Sequence, residues 1–306
     1  MVDVERSKSE PFAELAVDSR CVLGEGILWF PRMEILLWTD IHSKQLWMHH
    51  PETGTTRHWS LSDRIGCLAL CKSGKVLLGL SKGLFLAAHH WDSDNLPALS
   101  LLMPVEAHEP RTRVNDGRCD RAGNFVFGTL NESSAQEAIG GFYQYSARGL
   151  RRLNLGGVAI PNSICFSPDG SIMYYCDSTQ QSIRCCNYDA ESGETENSRV
   201  FATLPRAGSC PDGSTIDAQG CLWNAQWGAS QVVRYTPQGE IDRIVSLPAK
   251  NPSCVAFGGA HLNRLYISTA RLDQTTQELE RLPESGGIYG WTSELRGLPE
   301  NQVQHL

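Results

Sequence analysis

The stretches ICFSPDGSIMYYCDS (residues 164–178) and TIDAQGCLWNAQW (residues 215–227) decide the fold class, because each consists of two short strand-like runs around a tight turn. Apolar and polar residues alternate on both sides of Pro-Asp-Gly and of Ala-Gln-Gly, which is the period-two pattern of β-strands. Four more stretches share this design, residues 27–40, 67–81, 118–130 and 255–269. The chain is therefore predicted to be all-β, with six copies of one hairpin.

The spacing of these hairpins predicts the architecture. Their turns recur at intervals of 41 to 50 residues, marked by Pro31, Lys72, Arg121, Pro168, Ala218 and His261. A repeat of this length with several strands is typical of β-propeller blades. A second hairpin follows most of the turns, as in residues 45–59, 182–201 and 231–247, which predicts four strands per blade. We expect a six-bladed β-propeller that occupies residues 1–306 as a single domain, with a flexible N-terminal segment over about residues 1–11.

The two ends of the chain are predicted to close the ring. An open first or last blade would leave a strand edge with unpaired backbone groups. Strand-like patterns occur at both ends, in FAELAVDSRCV (residues 12–22) and GGIYGWTSEL (residues 286–295). We expect these two segments to complete one shared blade.

Composition excludes several classes of partner. The formal net charge of −7 is spread along the chain without blocks of like charge, which argues against nucleic acid and anionic membranes. No apolar run approaches the roughly 18 to 20 residues of a transmembrane helix. Charged residues interrupt the first seventeen residues, where an export signal needs an apolar core. We expect a cytoplasmic protein, either a monomer or a weak homo-oligomer.

The cysteines and histidines are interpreted as structural or solvated. Without an export signal, the eleven cysteines are predicted to be reduced thiols. Five of them lie in apolar strand-like runs, where a free thiol packs as a small hydrophobe: Cys67, Cys71, Cys165, Cys176 and Cys254. A zinc or redox site is the weaker alternative, because metal-ligand spacings such as CxxC are missing. The pairs His49-His50 and His89-His90 fall on predicted outer hairpins and are expected to face solvent.

Three common motifs are matched only in part. GASQV (residues 228–232) lacks the second glycine of a nucleophile elbow. GEGILW (residues 24–29) has neither the third glycine nor the following helix of a dinucleotide-binding fingerprint. DSDNLP (residues 92–97) carries proline where an EF-hand calcium loop needs glycine. These classes of site are not indicated.

Polar residues at the head of several repeats are the strongest functional signal. In a propeller the first strand of each blade starts at the central channel, so side chains from distant repeats meet there. The polar residues in this phase are Glu25, Arg113, Asn115, Asp116, Asn162 and Asp212. Carboxylate and amide oxygens suit hard cations such as Ca²⁺, Mg²⁺ and Mn²⁺, and carboxylates also bind Zn²⁺. A metal site in the channel is therefore predicted.

Turn chemistry is the alternative explanation, because Asn-Asp-Gly and Pro-Asp-Gly are common turn sequences. Two Pro-Asp-Gly tripeptides separate the two explanations. Pro168-Asp169-Gly170 lies at a hairpin tip and is interpreted as a turn. Pro211-Asp212-Gly213 precedes the strand STID, and the turn of that hairpin, AQG, comes later, so Asp212 is placed at the channel.

The sequence also resembles the senescence-marker-protein, gluconolactonase and regucalcin-like sugar lactonase family. The matching segments include LGEGILWF, RVNDGRCDRAGNFVFGTL, PNSICFSPDGSIMYYCDS and CPDGSTIDAQGCLWNAQW, in the order of the family. The resemblance implies a six-bladed propeller that hydrolyses a sugar lactone with one divalent cation (Ca²⁺, Zn²⁺, Mn²⁺ or Mg²⁺). An aldonolactonase for a pentose or hexose, acting in bacterial sugar oxidation, is the implied class.

The resemblance also implies a role for each site residue. Glu25, Asn162 and Asp212 would hold the metal, and Asp212 would also be the catalytic acid and base. Arg113 and Asn115 would bind the substrate, and Glu132, in the NESS segment, would contact sugar hydroxyls. Ser163 departs from the family, which more often has glycine after the ligand asparagine.

Several alternatives stay open at this point. Arg113 could instead pair with Asp116, and Trp29 and Trp227 could form either an apolar wall for the sugar or part of the core. Propellers also serve as interaction scaffolds, so the fold alone does not establish an enzyme. The rival functions are a scaffold, a calcium-binding regulator, and an esterase or phosphotriesterase.

Overall fold

Each repeated hairpin of the sequence forms the two inner strands of one sheet. The computed structural model describes residues 11–88, 91–95 and 97–306, and in this part of the chain six antiparallel sheets have four strands each. The prediction of a six-bladed β-propeller with four-stranded blades is confirmed. The N-terminal strand is β1 (Glu14–Val17).

The sheets, called blades 1 to 6 in chain order, are given from the innermost strand outwards. Blade 1 contains β2 (Gly24–Phe30), β3 (Ile35–Asp40), β4 (Gln45–His49) and β5 (Thr56–Ser60); blade 2 contains β6 (Ile65–Leu70), β7 (Val76–Leu80), β8 (Gly83–Ala88) and β9 (Ala98–Pro104); blade 3 contains β10 (Thr112–Cys119), β11 (Phe125–Asn131), β12 (Phe142–Ser146) and β13 (Gly149–Arg152).

The second half of the ring has the same construction. Blade 4 contains β14 (Pro161–Phe166), β15 (Ile172–Asp177), β16 (Ser182–Tyr188) and β17 (Thr195–Thr203); blade 5 contains β18 (Cys210–Ile216), β19 (Leu222–Trp227), β20 (Gln231–Tyr235) and β21 (Ile241–Ser246); blade 6 contains β22 (Asn251–Gly258), β23 (Arg264–Ala270), β24 (Ile288–Thr292) and β1. A short helix, α1 (Thr276–Arg281), lies between β23 and β24.

Apolar side chains fill the spaces between neighbouring blades and hold the ring together. Leu37 of blade 1 packs in one cluster with Leu78 of blade 2, and both are fully buried. Trp38 of blade 1 belongs to the cluster it shares with Cys254 and Tyr266 of blade 6. Because both faces of most strands are covered, burial of these side chains is the main stabilising contribution to the fold.

The two chain ends close the ring as predicted. Strand β1 pairs with β24, with Glu14 opposite Gly290 and Leu15 opposite Tyr289. The residues before β1 also bind blade 5, since the Ser246 amide donates to the Pro11 carbonyl at 2.9 Å. Pro11, the last residue of the segment predicted to be flexible, is therefore anchored, and residues 1–10 lie outside the described part of the chain.

The C-terminal tail covers one end of the channel. After β24 the chain crosses several blades, where the Ala218 amide donates to the Arg296 carbonyl at 2.8 Å and the Val303 amide to the Leu70 carbonyl at 2.8 Å. Glu300 forms an ion pair with Arg118 of the inner strand β10, and both side chains are largely buried. The tail contacts the hairpin-turn side of the ring, so the strand heads lie at the opposite end.

The cysteines and histidines agree only in part with expectation. All eleven cysteines are free and ten are buried, as predicted for structural thiols. His49, expected to face solvent, is buried at the end of β4 with Nδ1 2.8 Å from Thr56 Oγ1, so that prediction is wrong. His50 is partly buried, and His89 and His90 lie outside the described residues. None of the helical segments found in the described ranges could cross a membrane, because none is long and apolar enough.

The pairing of β1 with β24 predicts that the N-terminus contributes to global stability. Deleting residues 1–20 removes β1 and the fully buried Ala13, which exposes the edge of β24. We expect a lower melting temperature or loss of cooperative unfolding, measured by circular dichroism or calorimetry. Deleting only residues 1–10, which keeps Pro11 and β1, is the control. A melting curve of the longer deletion equal to that of the full chain would contradict this closure.

Candidate functional site

A β-bulge in every inner strand gives the channel its polar lining. The pairing of the first two strands shifts register near the head of all six blades, between Glu25 and Leu28 in blade 1 and between Asn162 and Cys165 in blade 4, for example. Bulges bend the strand and redirect the side chains next to them. The sequence pattern of short alternating strands does not reveal these extra residues.

The bulges bring five of the predicted site residues to one cavity. The cavity has a volume of about 490 Å³, and its walls include Glu25, Arg113, Asn115, Asn162 and Asp212. The sequence predicted that Asp212 precedes a strand, whereas it lies within β18, at the bulge after Pro211. These residues nevertheless meet at the channel, as their similar positions within the repeats predicted.

Two aspartates anchor the loops that lead into β2 and β14, the strands of Glu25 and Asn162. The Asp40 carboxylate accepts hydrogen bonds from the amides of Val22 and Leu23, at 2.8 and 3.0 Å, just before Glu25. Asp177 does the same in blade 4, where its carboxylate accepts from the amides of Ala159 and Ile160 at 2.8 and 3.2 Å. Each aspartate is the last residue of the second strand of its blade. The same hydrogen-bonding arrangement therefore fixes the start of the first strand in blades 1 and 4.

The departure at Ser163 has a conformational consequence. Ser163 has φ of 64°, in the left-handed region that favours glycine, and Gly26 occupies the equivalent position after Glu25 with φ of 56°. The serine is fully buried, and its hydroxyl lies 2.5 Å from that of Ser214 in blade 5. This contact between two inner strands offsets part of the backbone strain at Ser163.

Three carboxylates share the channel and disfavour one another's charge. Burial, followed by the nearby Asp116, raises the pKa of Glu25 from an ordinary 4.5 to about 8. Burial, followed by Glu25 and Asp116, also raises the pKa of Asp212 well above its usual range. A divalent cation is the simplest group that would let these carboxylates be ionised together.

Hydrogen bonding separates the roles of Asp116 and Asp212. Both oxygens of Asp116 accept backbone hydrogen bonds, from Gly117 at 2.9 Å and from Ile164 of the next blade at 3.0 Å. Oδ1 of Asp212 is buried and has no hydrogen-bond partner in the described structure. A buried oxygen without a partner costs free energy, so Asp212 has an oxygen available for a ligand, whereas Asp116 links blades 3 and 4.

The donor chemistry fits one hard divalent cation. Glu25, Asn162 and Asp212 together offer two carboxylates and an amide oxygen, which suits Ca²⁺, Mg²⁺ or Mn²⁺. Within residues 11–88, 91–95 and 97–306, no group of three His, Cys, Asp or Glu side chains is arranged to hold a metal. The fit therefore depends on the amide of Asn162 as well as on the carboxylates.

Arg113 is held by Glu132 rather than by Asp116. Its Nε lies 3.4 Å from Glu132 Oε1, and Glu132 is also paired with Arg64, whose Nη2 donates to Oε2 at 2.9 Å. Burial lowers the pKa of Arg113 to about 10, and the charge of Glu132 opposes that shift. Arg113 is therefore still charged at neutral pH, and the alternative ion pair with Asp116 is not observed.

Asn115 is nearly saturated by protein contacts. Its Nδ2 donates to the Pro161 carbonyl and to Asn162 Oδ1, both at 3.0 Å, and its Oδ1 accepts from Arg113 Nη1 at 2.8 Å. Both amide hydrogens are therefore used within the site, which leaves Asn115 only a lone pair of Oδ1 to offer a substrate.

Several wall residues were not singled out from the sequence. The cavity is also lined by His42, Gln136, Ser178, Thr179, Cys210, Leu272 and Asp273. Most of these lie on loops between strands, and no local pattern predicts which loops reach the channel. Trp227 belongs to the cavity wall, whereas Trp29 is buried and stacks on Tyr266 with ring centroids 6.3 Å apart.

Comparison with known proteins identifies the family of the chain. The sequence model of the SMP-30/gluconolactonase/LRE-like region matches residues 23–271. The chain is 43% identical over 281 residues to L-arabinolactonase of Azospirillum brasilense, covering 90% of each chain. It is 30% identical over 280 residues to 6-deoxy-6-sulfogluconolactonase of Pseudomonas putida, covering 91% of this chain and 94% of that protein.

Solved structures give the same result at the level of the fold. The crystal structure of a calcium-binding protein, regucalcin, from Agrobacterium tumefaciens superposes with a TM-score of 0.89 at 28% identity, covering 96% of this chain and 98% of that one. Since the family model matches residues 23–271, which is most of the chain, this protein belongs to the SMP-30/gluconolactonase/LRE-like family.

Proposed function

We propose that this protein hydrolyses a sugar lactone to the open-chain sugar acid with the help of one divalent cation. The observation that carries the proposal is the buried, unpartnered oxygen of Asp212 beside Glu25 and Asp116, three carboxylates whose mutual repulsion a cation would relieve. The names of two relatives, L-arabinolactonase and 6-deoxy-6-sulfogluconolactonase, support lactones as the substrate class.

Glu25, Asn162 and Asp212 are the residues that would hold the cation, which when bound would polarise the lactone carbonyl. Asp212 is the proposed general base, because its carboxylate lines the cavity and its buried Oδ1 has no hydrogen-bond partner in the described structure. It takes a proton from water as the water oxygen attacks the carbonyl carbon. The ring C–O bond then breaks, and the proton passes to the leaving alkoxide, giving a hydroxy acid.

Arg113 is the proposed substrate-orienting group. Its Nη1 donates to Val114 O and Asn115 Oδ1, at 2.9 and 2.8 Å, and its Nε faces Glu132. Among the contacts of the described residues, Nη2 is therefore the nitrogen left to donate to a lactone oxygen. Glu132 holds the guanidinium plane in place, and its charge also makes it an acceptor for sugar hydroxyls.

The two Pro-Asp-Gly tripeptides offer a matched test of Asp212. Asp212→Asn keeps the shape of the side chain but removes its capacity as a base, so we expect kcat for lactone hydrolysis to fall about 10²- to 10⁴-fold. Asp169→Asn is the control, because Asp169 lies exposed in a hairpin turn, where its carboxylate accepts hydrogen bonds from Ser167 and Ser171. Initial rates measured with a pH indicator decide the result, and Asp212→Asn at wild-type activity would refute the proposed site.

Metal removal should make stability depend on pH in a defined direction. The folded, metal-free protein holds a proton on Glu25 up to about pH 8, whereas the unfolded chain loses it near 4.5. The stability contributed by this proton is full below about pH 4.5 and is lost as pH rises through 8. We expect the melting temperature of chelated protein to fall from pH 5.5 to 8.5.

Saturating Mn²⁺ or Ca²⁺ should raise the melting temperature most at high pH, because the cation replaces the proton. Glu25→Gln, which has no proton to lose, is the control and should weaken the pH slope of the chelated protein. A metal-independent melting curve across this pH range would count against the cation site.

Among sugar lactones we propose a pentonolactone, because L-arabinolactonase is a relative at 43% identity. Hydrolysis of arabinonolactone, xylonolactone, galactonolactone and gluconolactone should be compared at equal concentration, after chelation and after reloading with metal. The highest kcat/KM is expected for arabinonolactone. Cation binding without hydrolysis of any of the four would favour a calcium-binding regulator instead.

A further inference from the structure

A chain of four hydrogen bonds crosses the site from blade 3 to blade 5. Arg113 Nη1 donates to Asn115 Oδ1 at 2.8 Å, and Asn115 Nδ2 donates to Asn162 Oδ1 at 3.0 Å. Asn162 Nδ2 then donates to Ser178 Oγ at 2.9 Å, and Ser178 Oγ donates to the Pro211 carbonyl at 2.6 Å. Pro211 directly precedes Asp212, so the chain joins the proposed substrate-binding arginine to the strand of the proposed base.

The chemical groups at its two ends fix the direction of donation in this series of hydrogen bonds. A guanidinium can only donate hydrogen bonds and a peptide carbonyl can only accept them. Asn115 must therefore turn its oxygen toward Arg113 and its amide nitrogen toward Asn162. Asn162 in turn presents its oxygen to Asn115 and its nitrogen to Ser178, whose own hydrogen goes to Pro211. Flipping either amide would place two donors or two acceptors face to face.

This orientation matters because only the oxygen of Asn162 can bind a cation. An amide oxygen has two lone pairs, and Asn115 uses one of them. The other remains for a metal, whereas a flipped Asn162 would turn its NH₂ group toward Asn115 and the site. Asn115 holds the oxygen of this amide, and the hydroxyl of Ser178 holds its nitrogen on the opposite side.

Ser178 is itself firmly placed. Its amide donates to the Ile160 carbonyl at 2.9 Å, and the preceding Asp177 binds the loop that leads to Asn162. The side chain is buried, with 9% of its surface exposed. A rigid acceptor at this point is what a directional chain requires.

We propose that Ser178 is a positioning residue that orients the Asn162 amide for binding the divalent cation, through the hydrogen-bond chain from Arg113 to Pro211. The inference rests on the proposed function, since it assumes a cation at Glu25, Asn162 and Asp212. Ser178 acts through Asn162 and takes no part in the reaction.

The test measures metal affinity directly in the full chain. Chelated wild type, Ser178→Ala and Ser178→Thr are titrated with Mn²⁺ by calorimetry, and by the shift of the melting temperature. Loss of a residue that orients a metal ligand typically weakens metal binding 10- to 100-fold, and we expect this for Ser178→Ala. Ser178→Thr, which keeps the hydroxyl, should stay within about threefold of wild type by the same reasoning.

Ser268→Ala is the matched control for the general effect of removing a buried serine hydroxyl. Ser268 is fully buried in blade 6, where it forms hydrogen bonds with Ser253 and Cys254. It is not part of the hydrogen-bond chain from Arg113 to Pro211. We expect it to lower the melting temperature without changing the Mn²⁺ dissociation constant.

Testing Ser178→Ala in an Asn162→Asp variant separates loss of amide orientation from a general packing effect on metal affinity. In Asn162→Asp either side-chain oxygen can bind a cation, so Ser178→Ala should change the Mn²⁺ affinity of this variant less than about threefold, a coupling that a double-mutant cycle measures. An equal loss in both backgrounds would overturn the proposal, as would wild-type affinity in Ser178→Ala. If wild type binds no divalent cation, the proposed function fails as well; if it binds Mn²⁺ and only the Ser178 effects are missing, this inference alone fails.

Discussion

Repulsion among one buried and two partly buried carboxylates is the constraint on which the site depends. Glu25, Asp116 and Asp212 come from three different blades. Burial raises the pKa of all three; Asp116 adds to the shift of Glu25, and both Glu25 and Asp116 add to that of Asp212. In one of them, Asp116, each oxygen accepts a hydrogen bond from a backbone amide. The protein leaves Asp212 with a buried oxygen that has no partner in the described structure, so the two aspartates differ in their capacity to bind a further group.

The closed ring is what allows such an arrangement to persist. Each inner strand contacts the inner strands of two neighbouring blades, and apolar clusters fill the wedges between blades. Rigid strands can therefore hold like charges close together, because moving one strand would disturb the packing of two interfaces. The bulges redirect the side chains at the strand heads, while the pairing of the second and third strands keeps a regular register in every blade.

The two ends of the channel differ in chemistry. At the hairpin-turn end the C-terminal tail lies across the blades, and Glu300 neutralises the channel residue Arg118. At the other end the strand heads and the loops around Thr179, Leu272 and Asp273 surround an accessible cavity. A ligand can thus approach the carboxylates from one side, where Arg113, paired with Glu132, supplies the positive charge.

Local sequence determined the strands, their number and the repeat, because alternation of apolar residues and the chemistry of tight turns act over a few neighbouring residues. Similar positions within the repeats predicted that five polar residues lie close together, and the structure places their side chains around one cavity: Glu25, Arg113, Asn115, Asn162 and Asp212. Only the tertiary structure decided that Glu132 rather than Asp116 pairs with Arg113, and that Asn115 binds Asn162, 47 residues away. Such partners depend on bulges and on closure of the ring, which bring distant strands within hydrogen-bond distance and leave no local signal in the chain.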